Sequence, residues 1–237
     1  MDGKWHIYAV TNKHVVDGGC HVLRINNSGA GTITLHTKPD EWYSVPDDDV
    51  AVFPIRKQLG IRVGVIPERM FMPERDRGVQ ALGVGDDAVL IGRLISHSGV
   101  ERNKPIARFG SIAMMADDEE PIDLGGRKQV AFLVDCRSLS GSSGSAVLGY
   151  RVGQRGNMMI VGPAEAVLLG IDCAHLPFWT RVCQKQDRQS AVDPPLWVES
   201  NSGIAVVVPA WRILNLLNLE VLVKQRFDDD TALKGGG

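Results

Sequence analysis

The feature that most restricts the fold is a succession of short apolar runs separated by turn residues. Strand-like runs lie at 7–10, 21–25, 32–36, 50–53, 86–92 and 105–113, and on both sides of a serine-rich stretch near residue 140. The second and third runs flank the turn residues at 26–29, which predicts a hairpin. Many short strands joined by polar turns are typical of a β-barrel or β-sandwich. The sequence therefore predicts an all-β fold.

The pattern changes near the C-terminus, where apolar residues recur at helical spacing. Trp211, Ile213, Leu214 and Leu217 follow Pro209, and proline is favoured in the first turn of a helix. We expect one helix over 209–224, packed on the preceding strands by its apolar face. Because the stretch at 54–85 is less regular, we expect it to connect two halves of a single domain that spans residues 1–237.

Charge and hydropathy argue against several classes of protein. The formal net charge is −2, so no strong positive field points to nucleic acid. The longest apolar runs are far shorter than a membrane span, and the N-terminal residues show no secretory signal pattern. Four widely separated cysteines have no metal-ligand spacing, which favours reduced thiols. We expect a cytoplasmic protein with no metal, cofactor, membrane or nucleic-acid partner; the oligomeric state is left open.

Residues 138–149, with the sequence SLSGSSGSAVLG, are the most unusual local stretch. Segments rich in glycine and serine are usually flexible linkers. This segment, however, lies between apolar runs at 129–134 and 146–148, which argues against a linker and leaves two equal alternatives, a turn that presents one particular hydroxyl or an ordinary tight loop. A serine hydroxyl is a weak nucleophile and needs an adjacent base, which a third group must orient. If Ser143 is nucleophilic, a histidine and a carboxylate must come from elsewhere in the chain.

His14 and Asp49 are the candidates for the base and the carboxylate. His14 follows the strand-like run at 7–10, and Asp49 directly precedes the run at 50–53. The chain order His, Asp, Ser is the order of the catalytic triad in chymotrypsin. Glycines on both sides of Ser143 permit backbone angles that aim N–H groups at one point, as an oxyanion hole requires.

Four short motifs occur together in the order of a known family. They are TNKHV at 11–15, DVAV at 49–52, GSSGSA at 141–146 and SGIAV at 202–206, with a weaker match, ARFGSI, at 107–112. On these motifs the sequence resembles the trypsin-like serine peptidases, particularly the HtrA-like bacterial branch, from residue 7 to about residue 222. The family's aspartate immediately precedes its strand, which favours Asp49 over Asp47 and Asp48.

The resemblance implies a double β-barrel followed by a C-terminal helix. The first barrel would lie within 1–75, the second within 80–208, and the active site in the cleft between them. The implied activity is that of a serine endopeptidase, a hydrolase that cleaves protein or peptide substrates through an acyl-enzyme intermediate. No cofactor is implied.

The resemblance also assigns roles to individual residues. His14 would take the proton of Ser143 and later protonate the leaving amine, while Asp49 would orient His14. The N–H groups of Gly141 and Ser143 would form the oxyanion hole. Arg137 lies near the expected base of the specificity pocket, where it would favour acidic side chains, unless it points to solvent. The residues implied to line the substrate site are Ser138, Ser202, Gly203 and Ile204.

The remaining candidate groups have simpler explanations. A histidine outside a motif is more often a surface or hydrogen-bonded structural residue. The acidic run at 117–120 is typical of a solvated loop, and Cys136 is interpreted as a small core residue. The histidines without motif context are His6, His21, His36, His97 and His175.

Three other functions share some of these features. A pseudoenzyme of the same fold would bind a peptide or partner without cleaving it. A non-catalytic β-barrel interaction module would use the serine-rich loop only as a turn. An esterase of the α/β-hydrolase type is the weakest alternative, because it needs the chain order Ser, Asp, His, the reverse of the order found here.

Overall fold

The computed structural model describes residues 5–55, 61, 63–74, 82–94, 99–139, 141–150, 154–155, 158–159, 166–183 and 195–234. Over these residues the chain is mainly β-strand, with helices concentrated at its C-terminal end. The sequence prediction for His97 concerns a residue outside the described ranges.

The N-terminal half contains a small antiparallel sheet, a hairpin and a short helix. The central strand of the sheet pairs with the first strand on one side and with a two-residue strand on the other. The hairpin predicted around 26–29 is present. The elements are β1 (Ile7–Thr11), α1 (Lys13–Asp17), β2 (Val22–Asn26), β3 (Thr32–His36), β4 (Tyr43–Ser44) and β5 (Ala51–Ile55), with β5 central in the sheet.

Side chains at the start of β5 are buried alternately on its two faces, as expected for a central strand. Val50 and Val52 are fully buried in one hydrophobic cluster, whereas Ala51 packs in another with Val16 and Trp42. Both faces of the strand are therefore covered. Asp49 lies at the start of this rigid, buried segment.

The C-terminal half contains a closed antiparallel barrel of six strands, in the order β10, β15, β14, β11, β6 and β7. Two further two-stranded antiparallel sheets are present, one formed by β8 and β9 and the other by β12 and β13. The strands are β6 (Asp87–Arg93), β7 (Pro105–Met114), β8 (Ile122–Asp123), β9 (Lys128–Gln129), β10 (Phe132–Asp135), β11 (Ala146–Tyr150), β12 (Gln154–Arg155), β13 (Met158–Met159), β14 (Val167–Arg181) and β15 (Trp197–Pro209).

Alternate residues of β6 and β10 fill the interior of the barrel. Ala88 and Leu90 on β6, and Phe132 and Val134 on β10, belong to one buried cluster. Burial of a side chain such as Leu90 stabilises the fold by roughly 1.5–3 kcal/mol. The predicted all-β class, with a barrel and helical C-terminus, is confirmed.

The C-terminal segment differs from the single helix predicted over 209–224. It forms two helices, α2 (Ala210–Leu217) and α3 (Glu220–Lys234), and Pro209 is the last residue of β15 and the N-cap of α2. The N–H groups of Asn218 and Leu219 bond to the carbonyls three residues back, those of Asn215 and Leu216, so the last turn tightens where α2 ends. Asparagine favours helix ends because its side chain competes with the backbone for hydrogen bonds.

Both helices contribute to the hydrophobic core, α2 with several buried side chains and α3 with Leu222. Trp211 packs edge-on against Phe132, with ring centroids 5.5 Å apart, and Ile213 and Leu216 are buried. No helix of the described residues has the length and apolar character needed to cross a membrane. The division into halves at 1–75 and 80–208 stays a prediction.

Candidate active site

The structure brings His14, Asp49 and Ser143 together from three separate parts of the chain. His14 Nδ1 lies 2.6 Å from Asp49 Oδ2, and His14 Nε2 lies 3.2 Å from Ser143 Oγ. The carboxylate of Asp49 is fully buried, whereas 44% of the His14 side chain is exposed. The imidazole therefore links a fully buried carboxylate to a hydroxyl that solvent or a ligand can reach.

The backbone around His14 fixes the orientation of its ring. His14 lies in the first turn of α1, directly after β1, and its own N–H donates to Asp49 Oδ1 at 2.9 Å. Asn12, which is buried, donates from Nδ2 to the Asp49 carbonyl at 2.9 Å. An ionised carboxylate only accepts hydrogen bonds, so Nδ1 carries the proton and Nε2 presents a lone pair to Ser143.

Asp49 has hydrogen-bond partners in addition to His14. Arg127 Nη2 lies 3.0 Å from Asp49 Oδ2, and the Asp49 N–H donates to Gln129 Oε1 at 2.9 Å. Burial alone would raise the pKa of Asp49, but the hydrogen bonds from His14 and Arg127 outweigh it and lower the pKa to about 2. Asp49 is therefore ionised at neutral pH.

Asp48, the neighbouring acid, has different contacts. It accepts a hydrogen bond from Gln129 Nε2 at 3.3 Å and lies 3.8 Å from the Arg212 guanidinium. Burial raises the pKa of Asp48 in spite of Arg212. Among the three consecutive aspartates, the contacts to His14 are made by Asp49.

Two glycines shape the serine loop. Gly141 and Gly144 have φ values of 86° and 81°, a region that side chains other than glycine rarely adopt. A Cβ atom on Gly144 would lie 2.7 Å from Thr11 Oγ1, so the loop packs directly on the end of β1. This close approach brings Ser143 to the side of His14.

Hydrogen bonds within the loop leave two N–H groups available. Ser142 N donates to Leu139 O at 3.0 Å, and Gly144 N donates to Asp172 O at 2.8 Å. Within the described part of the chain, the N–H groups of Gly141 and Ser143 have no hydrogen-bond acceptor. These are the two donors that the sequence assigns to an oxyanion hole.

The predicted substrate-lining residues lie on two segments that hydrogen-bond to each other. Asn201 Nδ2 donates to the Ser138 carbonyl, and its Oδ1 accepts from Gly203 N at 2.7 Å. Arg137 N donates to Gly203 O at 2.8 Å. Ser202 accepts from the N–H of Ile204 through its own hydroxyl, at 3.1 Å.

Two of the residues near this predicted pocket have notable conformations or contacts. The Ser138 hydroxyl is buried and donates to Asp172 Oδ2 at 2.7 Å, so another side chain already engages it. Arg137 is exposed and has a left-handed φ of 52°. A strained backbone of this kind is common in functional sites.

Asp172 is a buried carboxylate directly behind the serine loop. It is 1% exposed, its N–H donates to the Ser145 carbonyl at 2.9 Å, and within the described residues its Oδ1 has no hydrogen-bond partner. Burial raises the pKa of Asp172 to about 7, against the opposing effects of Ser138 and His14.

Three residues of the site, Asp172, Arg127 and Gln129, have no functional role that the sequence predicts. The local pattern that marks Asp172 is its position directly after the apolar run 167–171, where an acidic residue is unusual. Arg127 and Gln129 follow an ordinary Gly-Gly turn, and nothing local indicates their contact with Asp49. Only the tertiary fold brings them together.

The cysteines offer no competing nucleophile in the interior. All four are free thiols, with Cys20 and Cys183 exposed. Burial raises the pKa of Cys136 to about 11. Burial and the charges of Asp49 and Asp172 raise the pKa of Cys173 well above its usual range. Within the described ranges, no group of three or more His, Cys, Asp or Glu side chains could hold a metal ion.

Comparison with known proteins identifies the fold. No family model and no curated protein sequence matches the chain. Among solved structures, the fold is similar to that of the apo MamO protease domain from Magnetospirillum magneticum, with a TM-score of 0.51 and 14% sequence identity. The match covers 88% of this chain and 81% of that one. The fold is trypsin-like. The likeness supports the fold alone and does not extend to the HtrA-like branch.

Proposed function

We propose that this chain is a serine endopeptidase, related to the HtrA-like branch, that cleaves protein or peptide substrates. The observation that carries the proposal is the continuous path from Asp49 through His14 to Ser143, with separations of 2.6 and 3.2 Å. A weak hydroxyl nucleophile needs a base within hydrogen-bond reach and a third group that orients that base. The three residues have this relationship.

In the proposed reaction, Ser143 Oγ attacks the carbonyl carbon of the scissile peptide bond while His14 Nε2 takes the hydroxyl proton. The imidazolium is stabilised by Asp49, which remains ionised. Collapse of the tetrahedral intermediate breaks the C–N bond, and His14 returns the proton to the leaving amine. Water then attacks the acyl-enzyme ester in the same way, with His14 again as the base, which releases the acid and restores Ser143.

The developing oxyanion would be held by the N–H groups of Gly141 and Ser143. Loss of one such donor costs about 2.7–4 kcal/mol of transition-state stabilisation in well-studied enzymes. The absence of a competing acceptor for either group within the described residues supports this role. Had a carbonyl of the loop occupied them, the oxyanion would have had no donor.

The test is covalent labelling of the full chain with a fluorophosphonate, which reacts with activated serines. The wild type and Ser142→Ala should be labelled, because Ser142 is a buried neighbour that the mechanism does not use. Ser143→Ala and His14→Ala should lose labelling. No labelling of the folded wild type would overturn the proposal and favour a trypsin-fold pseudoenzyme or peptide-binding module.

A further inference from the structure

We infer that Arg127 is a positioning residue that shares the charge of Asp49 with His14 and thereby sets the pH range over which His14 acts as a base. The inference rests on the proposed peptidase function and adds a residue to it.

A tight turn determines the placement of Arg127. The residue ends the connection between β8 and β9, where Leu124 N donates to Arg127 O at 2.8 Å and Gly126 N donates to Asp123 Oδ1 at 2.6 Å. Gly125 and Gly126 have left-handed φ values of 69° and 94°. The turn thus fixes the backbone from which the guanidinium extends.

The same hairpin holds Asp49 at a second point. Gln129, two residues after Arg127, is 1% exposed and accepts from the Asp49 N–H. Its Nε2 also donates to the Val130 carbonyl at 3.0 Å, so the amide is fixed on both sides. One hairpin therefore fixes both the backbone and the carboxylate of Asp49.

Arg127 and His14 compete for a single atom. The guanidinium nitrogen and His14 Nδ1 lie 3.0 and 2.6 Å from Asp49 Oδ2. Asp49 raises the pKa of Arg127 through this hydrogen bond, so the guanidinium remains charged throughout the useful pH range. One negative charge is thus shared by a permanent cation and an imidazole that gains a charge only when it is protonated.

The consequence is that Arg127 opposes protonation of His14. A second cation at the same carboxylate oxygen makes the imidazolium less favourable, so His14 stays available as a base at lower pH than it would beside Asp49 alone. The other groups near the pair are the neutral Cys173 thiol and Asp172, whose pKa of about 7 means that it favours the imidazolium only once it ionises, in the wild type and in the Arg127 variants alike. Lys13, next to His14, pairs with Asp17.

Solvent limits the size of the effect. The Arg127 side chain is 48% exposed, so its field is screened by water and salt. We expect a displacement of about half to one pH unit rather than the several units that buried charges produce.

The experiment compares Arg127→Gln and Arg127→Lys with the wild type. The rate constant for fluorophosphonate labelling is measured from pH 5 to 9 at low and high salt. We expect the acid limb of Arg127→Gln to move to higher pH by about half to one unit, a displacement that shrinks in high salt. Arg127→Lys should restore most of the wild-type profile. Lys128→Gln, which removes the same charge from the adjacent exposed position, should leave the profile unchanged.

A second readout does not depend on catalysis. The pH titration of the His14 imidazole signal is followed by NMR in a Ser143→Ala background, with and without Arg127→Gln, and the signal is assigned by its loss in His14→Ala. Thermal unfolding verifies that each variant is folded. A titration midpoint that moves upward in Arg127→Gln supports the inference even if the wild type is never labelled, in which case the proposed function alone fails. Equal midpoints in the two proteins would overturn the inference.

Discussion

Replacing Asp172 with asparagine should stabilise the protein more at pH 8 than at pH 5. The carboxylate is 1% exposed, and its pKa is raised from 3.8 to about 7. The folded state therefore holds this proton more tightly than the unfolded chain. Wherever the folded state binds more protons, stability falls as the pH rises. Asp172 thus lowers stability increasingly from about pH 4 upward, and the cost is complete above about pH 7.

The magnitude follows from the separation of the two pKa values. They differ by about three pH units, each worth about 1.4 kcal/mol, which gives an upper bound of about 4 kcal/mol at high pH. Part of this cost is already present at pH 5, so the change between pH 5 and pH 8 is about 2–3 kcal/mol. Because the group is buried, solvent screening does not reduce this figure.

The assay is urea-induced unfolding of the wild type and Asp172→Asn at both pH values. Asparagine keeps an acceptor for the Ser138 hydroxyl, and its unpaired amide contributes a penalty that is the same at both pH values and cancels in the comparison. Asp135→Asn, at an exposed position on β10, is the matched control. If the stabilisation by Asp172→Asn at pH 8 exceeds that at pH 5 by less than about 0.5 kcal/mol, the reasoning about the buried carboxylate is wrong.

Two further substitutions test the geometry around the triad. Gly144→Ala should destabilise the fold by about 2–3 kcal/mol, because it combines a left-handed φ with contact to Thr11. Gly19→Ala, at a similar φ of 89° with open space around it, should cost only about 1 kcal/mol. Equal melting temperatures for the two variants would contradict the predicted clash. Asp49→Asn should reduce the labelling rate by about 10³–10⁴-fold, because the amide stabilises the wrong imidazole tautomer. Retention of wild-type labelling kinetics by this variant would count against the role of Asp49.

The sequence predicted the features that depend on local patterns. Short apolar runs bounded by turn residues predicted β1, β3, β6 and β7 to within about two residues, because strands in a β-fold are short and polar turns separate them. The sequence also singled out His14, Asp49 and Ser143, which the fold brings into contact. Their catalytic roles stay a prediction until the labelling experiment is done.

Other features depend on contacts between distant parts of the chain and were not predictable. Arg127 and Asp172 have ordinary neighbours in sequence. Arg127 matters because the fold places it beside the buried Asp49 carboxylate, and Asp172 matters because the fold buries its own carboxylate behind the serine loop. The break between α2 and α3 at Asn218 is a different case. The apolar spacing continues across it, so hydrophobic pattern alone favours one helix, whereas hydrogen bonds to the end of α2 terminate it.

Because the β8–β9 hairpin fixes Asp49, the site assembles in a defined order during protein synthesis. Residues 5–55 leave the ribosome before Gln129 does, so they carry His14 and Asp49 but lack the acceptor that Gln129 provides for the Asp49 backbone. The serine loop comes later still, and its hydrogen bond from Gly144 requires Asp172 on β14. A nascent chain therefore has no assembled triad until Asp172 has been made, and the proposed proteolytic chemistry cannot begin on the chain's own unfolded segments before then.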